Sequence, residues 1–237
     1  MKPVTALTLF FFVAASMAPA SGISGLWAQT VQEDVFRSPV RPETFNAFSA
    51  TCARLAAHSF TKGNFEQEKI LNRLNRSLKS SGTFIIAAKL GMVWNTSNPF
   101  PSTLVLGKDY LIQSRPGGQK TALSAQGNET FIRLAEVISA VFSGDAQGLL
   151  KNFNVYYISR AVDNRAGISG SDAWELGLSP LDKAIGSFAE RIIIKGDSAI
   201  RNIEIHEQNG DVIKYILSNH SYPAELTVHE KALFSYP

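Results

Sequence analysis

After position 59 the apolar residues fall in short β-like runs, which predict a chain made mainly of β-strands. The runs are five to twelve residues long and are separated by turn residues, which is typical of an antiparallel meander. The predicted strands are 59–70, 82–88, 91–97, 102–107, 110–114, 153–159, 172–178, 189–195, 199–208, 211–218 and 226–234. Residues 76–81 are predicted to turn the chain, and Asn209-Gly210 is a strong two-residue hairpin signal. About eleven strands, in a group of five and a group of six, predict one barrel or strongly curved sheet.

Apolar residues at helical spacing predict helices before and between the two groups of strands. Pro42 suits the first turn of a helix whose apolar stripe is Phe45, Phe48, Cys52, Leu55 and Ala56. A second helix follows Asn128 and ends at Gly144. Its apolar face is Phe131, Leu134, Ala135, Ile138, Val141 and Phe142. A short helix is predicted at 145–151, and Pro180 is predicted to open a helical turn.

Several predicted strands are apolar on both faces. Within 82–88, Phe84, Ile86 and Ala88 share one face, while Ile85 and Ala87 occupy the other. Such a sheet needs cover on both sides, with helices on one side and packing or a ligand on the other. The pattern itself is compatible with an interior filled by side chains and with a ligand cavity.

The N-terminus has the layout of a secretory signal peptide. Lys2 is followed by an apolar stretch at 4–18 and by small residues, with cleavage expected after Ala20 or Ala28. The apolar stretch is shorter than the roughly 20 residues of a membrane-spanning helix. We therefore expect residues 1–28 to be removed on export and residues 29–237 to form a single domain.

Charge and cysteine content exclude several functions. A net charge of +3 over 237 residues is too small to indicate a nucleic-acid partner. The basic residues Lys69, Arg73, Arg76 and Lys79 are interpreted as a solvated turn. The single cysteine, Cys52, can form no internal disulfide and is expected to be a buried, inert thiol.

No catalytic or metal-binding motif stands out. The four histidines have no metal-ligand spacing, and Gly167–Gly170 is only half of a nucleophile elbow. Carboxylate pairs such as Glu66/Glu68 and Glu204/Glu207 are interpreted as solvent-facing strand residues. We predict no enzyme activity, no metal and no cofactor. An acyl hydrolase would have to pair Ser169 with one of the histidines.

Motifs in the same order and spacing resemble the LolA-like outer-membrane lipoprotein carrier family. Each is weak alone, and together they cover most of the residues after the signal region. They lie at 65–69, 78–84, 91–94, 98–106, 142–145, 174–180 and 207–211.

The resemblance implies an unclosed antiparallel β-barrel of about eleven strands, lidded by helices around a hydrophobic cavity for acyl chains. It also implies a monomer in the periplasm that receives an acylated lipoprotein from an inner-membrane transporter and passes it to an outer-membrane acceptor. Trp94 matches the family's tryptophan. Ala88 stands where the best-known carriers have an arginine that helps to hold the lid closed, so lid control is expected to differ here.

The expected acyl-binding residues combine the resemblance with the apolar pattern. They are Leu55, Phe65, Phe84, Ile86, Met92, Trp94, Leu104, Leu106, Phe131, Leu134, Ile138 and Phe142. Two alternatives remain open. The same fold could carry another acyl lipid or a glycolipid for an envelope exporter, or it could be a periplasmic protein-binding module that holds no lipid.

Overall fold

Eleven antiparallel strands form one open sheet in the computed structural model, which describes residues 34–107, 110–118, 121–124, 140, 144–160, 173–187 and 189–235. The strand order is β6-β5-β4-β3-β2-β1-β11-β10-β9-β8-β7, so β6 and β7 are the two edges and the sheet does not close. The strands are β1 Phe60–Leu71, β2 Arg76–Ala87, β3 Gly91–Asn98, β4 Ser102–Leu106, β5 Tyr110–Ser114, β6 Thr121–Ser124, β7 Phe153–Arg160, β8 Ala173–Pro180, β9 Ala189–Gly196, β10 Ile200–Glu207 and β11 Val212–Ser221.

The described residues also form four α-helices, α1 Pro42–Leu55, α2 Ala146–Asn152, α3 Lys183–Gly186 and α4 Val228–Leu233. The start of α1 is as predicted, because Pro42 occupies the first turn and the Thr44 hydroxyl accepts a hydrogen bond from the Arg41 backbone N–H at 2.9 Å. The Asp145 carboxylate accepts the Gly148 N–H at 3.0 Å and so caps α2.

Two sequence-based expectations about these elements are wrong. Residues 76–81 are the first half of β2, and the chain turns earlier, at Asn72–Leu74. The expected final strand is helix α4. The helical turn predicted at Pro180 is present as α3, which begins three residues after the end of β8. The sequence did not predict β6, and the predicted strand 226–234 is not a strand. The two errors cancel, so the total is still eleven strands, but the first group contains six strands and the second contains five.

Helix α1 packs on one face of the sheet, which we call the inner face. Phe48 and Cys52 of α1 are buried in one core cluster with strand residues that extend from β1 to β11. The Phe48 ring lies 5.9 Å from that of Tyr157 on β7, and the Thr51 and Tyr157 hydroxyls share a 2.8 Å hydrogen bond. The described helices α1, α2 and α3 make their main contacts with β7, β8 and β9.

The opposite, outer face is covered near both ends of the described chain. On the β7 side, the 3-10 turn Val35–Arg37 packs on β7 and β8, where Phe36 meets the Tyr156 ring edge-on at 5.2 Å. On the β3–β5 side, α4 and its flanks cover a second apolar cluster. That cluster contains Ala87, Val93, Val105, Ile112, Leu226 and Phe234.

This second cluster explains why strand 82–88 is apolar on both faces. Ile85, Val93, Val105 and Ile112 are cross-strand partners and form one outer-face row under the C-terminal segment. The structure confirms the predicted fold class, an unclosed antiparallel barrel with helices. Among the described residues, none of the helices has the length and apolarity required to cross a bilayer.

Candidate functional site

The predicted acyl-binding residues that the structure describes lie together on the inner face. Strand register shows this directly, since cross-strand partners in an antiparallel pair project from the same side. One row runs from Leu106 on β4 through Met92 on β3 to Ile86 on β2, and another runs from Leu104 through Trp94 to Phe84. Phe65 and Leu55 belong to the same inner-face cluster.

An aromatic stack forms the centre of this surface. The Trp94 indole is stacked on Phe65, with ring centroids 4.2 Å apart, and lies 5.9 Å from Phe84. Tyr215 of β11 meets the indole edge-on at 5.4 Å. Offset and edge-on contacts of this kind each add about 0.5–1.5 kcal/mol beyond the area that they bury. The stack therefore ties β1, β2, β3 and β11 into one apolar wall.

Burial divides the wall into a closed part and an open part. Phe65 and Phe84 are only 1% exposed, and Met92 and Leu106 are also buried. Ile86, Trp94 and Leu104 are partly exposed, although all three lie on the inner face. Partly exposed apolar side chains on the inner face of an open sheet are the surface that an apolar ligand would cover.

Phe131, Leu134, Ile138 and Phe142 lie outside the described residues. Two described positions near these residues, Ala140 and Gly144, lie close to α1 or to its core cluster. Ala140 is buried in the inner-face cluster, and Gly144 has a positive φ of 64°. A Cβ at Gly144 would collide with the Cys52 carbonyl oxygen, so glycine is required for this close approach.

The voids on the described part of the inner face are small. One, of about 10 Å³, lies between α1 and β7–β10 and is lined by Phe48, Cys52 and Trp174 among others. The second, of about 30 Å³, lies where α1 and β11 end. Ligand pockets typically measure about 300–1,000 Å³, so an acyl chain has to displace side chains or α1 to enter here.

Sequence reasoning missed the β7–β11 half of the inner face. Its continuous apolar row is Val155, Leu178, Ile192, Ile205 and Ile213. The sequence did contain a signal, because runs 153–159 and 189–195 are apolar on both faces. That pattern does not show which of the two faces packs against α1. The Thr51–Tyr157 hydrogen bond joins two sites 106 residues apart, and no local pattern shows it.

A buried ion pair corrects two sequence interpretations. Lys69 belongs to β1 instead of a solvated turn, and its side chain is 13% exposed. Its Nζ lies 3.0 Å from an oxygen of Glu207, which is itself buried instead of solvent-facing. Burial raises the pKa of the Tyr215 hydroxyl, and the nearby Glu207 carboxylate acts in the same direction to a smaller extent.

Cys52 is buried as predicted, in the cluster between α1 and the sheet. Burial is the main reason that its thiol pKa rises to about 12, and the nearby Asp145 carboxylate acts in the same direction. A thiol that stays protonated is neither a nucleophile nor a metal ligand at neutral pH.

The described outer face holds a wide groove of about 600 Å³ across β2, β1, β11, β10 and β9. Acidic and basic side chains alternate along it, at Glu66, Glu68, Lys79, Lys195, Glu204 and Lys214. Lys214 and Glu204 lie 3.8 Å apart, and Lys79 and Glu68 lie 3.9 Å apart. None of the predicted acyl-binding residues lines this groove.

The described residues include no group of three or more histidine, cysteine, aspartate or glutamate side chains that could hold a metal ion. Ser169 lies outside the described residues.

No protein-family profile matches the sequence. No curated protein matches it either. Similar solved structures include the lipoprotein LppX of Mycobacterium tuberculosis, with a TM-score of 0.44 and 8% identity over 79% of this chain and 100% of that chain.

A LolA superfamily protein from Nitrosomonas europaea has a TM-score of 0.40 and 8% identity over 79% of this chain and 96% of that chain. A DUF1329 family protein from Desulfovibrio piger has a TM-score of 0.38 and 10% identity over 84% of this chain and 98% of that chain. At these values the likeness concerns the arrangement of strands and says nothing about a ligand. The strand order itself confirms the unclosed antiparallel barrel of about eleven strands predicted from the sequence.

Proposed function

We propose that this protein is a carrier that holds the acyl chains of a lipid or lipoprotein against the inner face of its open sheet. Its place of action is the bacterial periplasm, reached after export with a cleaved signal peptide. The cargo is an acylated lipoprotein that moves from an inner-membrane transporter to an outer-membrane acceptor. A second form of the same proposal has another acyl lipid or glycolipid as cargo.

The observation that carries the proposal is the partly exposed apolar surface of Ile86, Trp94 and Leu104. These side chains lie on the same face as α1, and the helices α1, α2 and α3 make their main contacts elsewhere, on β7–β9. Neighbouring apolar side chains that stay partly exposed on one face of the sheet support a binding site for an apolar ligand.

The free energy available for acyl binding is large. Each methylene transferred from water contributes about 0.8 kcal/mol, so ten buried methylenes supply about 8 kcal/mol before association costs are subtracted. Met92 lies next to Trp94 on the inner face, and its flexible side chain can adapt to chains of different shape. A carrier that binds by this means needs no catalytic group.

The test compares two neighbouring substitutions on opposite faces of β3. Trp94→Leu removes part of the inner-face wall, whereas Val93→Ala changes a residue that is 2% exposed and lies on the outer face. Ligand can cover only part of the indole, on the order of 60 Å², which is worth about 1.5 kcal/mol. We expect Trp94→Leu to weaken binding of a fluorescent fatty acid about tenfold.

Val93→Ala is the matched control, because it destabilises the sheet from the other side without changing the inner face. Its affinity for the fatty acid should stay within twofold of wild type at a temperature where both variants are folded. Equal weakening by the two variants would mean that acyl chains are not held on the inner face. Failure of the wild type to bind any acyl probe would refute the carrier proposal.

One observation favours a second function, that of a periplasmic module that binds protein instead of lipid. The voids on the described inner face measure only about 10 and 30 Å³. The larger outer-face groove offers alternating charges that suit a polar peptide segment. A wild type that takes up no fatty acid, together with a protein partner whose binding is lost in Lys214→Glu, would favour this function.

A further inference from the structure

A small amphipathic cleft lies at the end of the inner face where α1 and β11 end. We call it the rim cleft and define it by its lining residues. Its apolar floor is Leu55, Phe84, Ile86, Ala199, Ile200 and Leu217. Its polar rim is His58, Thr61, Ser198, His220 and Tyr222.

The rim cleft opens from the predicted acyl-binding wall. Leu55, Phe84 and Ile86 belong both to its floor and to that wall. A ligand whose acyl chain lies along the inner face can therefore reach the rim with the polar group that ends the chain.

The rim is polar but contains no aspartate, glutamate, lysine or arginine among its described lining residues. Arg201, a cation that contacts the rim residue His220, is already paired, since its Nε lies 3.0 and 3.1 Å from the two carboxylate oxygens of Asp197. Arg201 also donates from Nη1 to Nδ1 of His220 at 3.1 Å. The Arg201–Asp197 ion pair is thus satisfied within the protein.

The titration of His220 fits this neutral setting. Burial, and in second place the Arg201 charge, hold the pKa of the His220 imidazole below its usual range. Its Nδ1 accepts a hydrogen bond from Arg201, and its ring makes a T-shaped contact with the Phe84 ring, with centroids 5.7 Å apart. His220 therefore adds no charge to the rim at neutral pH.

Hydrogen-bonding groups remain for an uncharged ligand. The Thr61 and Tyr222 hydroxyls have no hydrogen-bond partner within the part of the chain that the structure describes, and the Tyr222 ring stacks on His58 with centroids 3.8 Å apart. The free volume of about 30 Å³ is the size of one or two water molecules. A carbonyl or hydroxyl fits this space, whereas a phosphate is larger than the space and meets no cation among the described lining residues.

We propose that the rim cleft receives the uncharged polar linkage of the acyl cargo, an ester, amide or hydroxyl group, and disfavours lipids whose headgroup is a phosphate or carboxylate. This proposal rests on the acyl-carrier function and adds the chemical class of the headgroup. It would let a carrier in an envelope rich in charged phospholipids select acylated cargo whose headgroup carries no phosphate or carboxylate.

The test measures displacement of a fluorescent acyl probe by four ligands with the same oleoyl chain, each below its aggregation concentration. Monooleoylglycerol supplies an ester, N-oleoylethanolamine supplies an amide, and oleate and oleoyl lysophosphatidate supply charged groups. We expect the uncharged ligands to bind at least tenfold more tightly than the charged ones. Tighter binding of the ester or of the amide supports the proposal in either case and identifies the type of linkage.

Two variants with the same added charge separate a local effect from a general one. His58→Lys places a cation at the exposed rim, whereas Leu74→Lys places it in the turn at the other end of β1, where Leu74 is 64% exposed. The twelve residues of β1 separate the two sites by about 40 Å. We expect His58→Lys to reduce the preference for uncharged ligands at least fivefold and Leu74→Lys to leave it unchanged.

Two results would overturn the proposal. One is equal affinity of the wild type for monooleoylglycerol and oleoyl lysophosphatidate. The other is a shift in preference that is as large for Leu74→Lys as for His58→Lys. Both differ from the failure of the carrier function itself, in which none of the four oleoyl ligands displaces the probe.

Discussion

Phe234 tests whether the C-terminal segment is part of the core on the outer face of the sheet. It is 7% exposed and packs with Leu226 against the row that contains Val93, Val105 and Ile112. The Tyr110 hydroxyl donates a hydrogen bond to the Phe234 backbone carbonyl, and burial raises the pKa of that hydroxyl. Replacing Phe234 with alanine would therefore leave a cavity under a segment that helps to bury the sheet.

Core Phe→Ala substitutions cost about 3–5 kcal/mol, and we expect the lower end here because a segment near the chain end can partly collapse into the space. For a domain of this size, about 3 kcal/mol corresponds to a fall in Tm of roughly 6–12 °C. The assay is urea denaturation followed by circular dichroism, with Tm measured in parallel.

Val228→Ala is the control for this prediction. Val228 is the first residue of α4, which Phe234 directly follows, but it is 87% exposed, so its substitution should change stability by no more than about 0.5 kcal/mol. A Phe234→Ala variant as stable as wild type would show that the C-terminal segment is not an integral part of the outer-face core. Equal losses for the two variants would show that the helix, and not the buried ring, determines the effect.

Three further predictions concern buried polar groups. Lys69→Met should lower the free energy of unfolding by about 3 kcal/mol, because it leaves Glu207 buried without its cation. The double variant Lys69→Met/Glu207→Gln should recover most of that stability in urea denaturation. If the single and double variants lost the same stability, the pairing would be contradicted. The depressed pKa of His220 means that the unfolded chain binds its proton more readily, so this contribution to stability is complete above about pH 6.5 and is lost as the pH falls through the folded-state value. Between pH 7.5 and 5, the free energy of unfolding should therefore fall more steeply for wild type than for His220→Gln. Parallel plots of stability against pH for the two proteins would refute this role of His220. Cys52, with its raised pKa, should resist a thiol reagent at pH 8 until urea unfolds the chain, and fast labelling of the native protein would contradict its burial.

The sequence predicted strands well where the apolar pattern is set by burial. The strands around Phe84, Trp94 and Leu104 were found because those side chains alternate with residues that face the other core. The first half of β2 was missed because residues 76–81 are mostly polar. They are strand only because β1 pairs with them out to the Leu71–Arg76 pair, which is a tertiary effect.

The C-terminal helix was missed although a local signal was present. Thr227 and Glu230 form a capping box, in which the Thr227 hydroxyl accepts the Glu230 N–H at 3.2 Å. Leu226, Leu233 and Phe234 follow helical spacing, and the same residues can be read as a short apolar strand. The rim cleft could not be predicted, because His58, His220 and Ser198 are distant in sequence and meet only where α1, β11 and the β9–β10 turn converge.

The most direct test of the carrier proposal is mass spectrometry of the lipid extracted from protein that is gently purified from the periplasm, with a denatured and washed sample as control. The proposal predicts an acylated species in near-stoichiometric amount, with an ester, amide or hydroxyl group at its linkage. A lipid-free protein that also takes up no fluorescent fatty acid would contradict it.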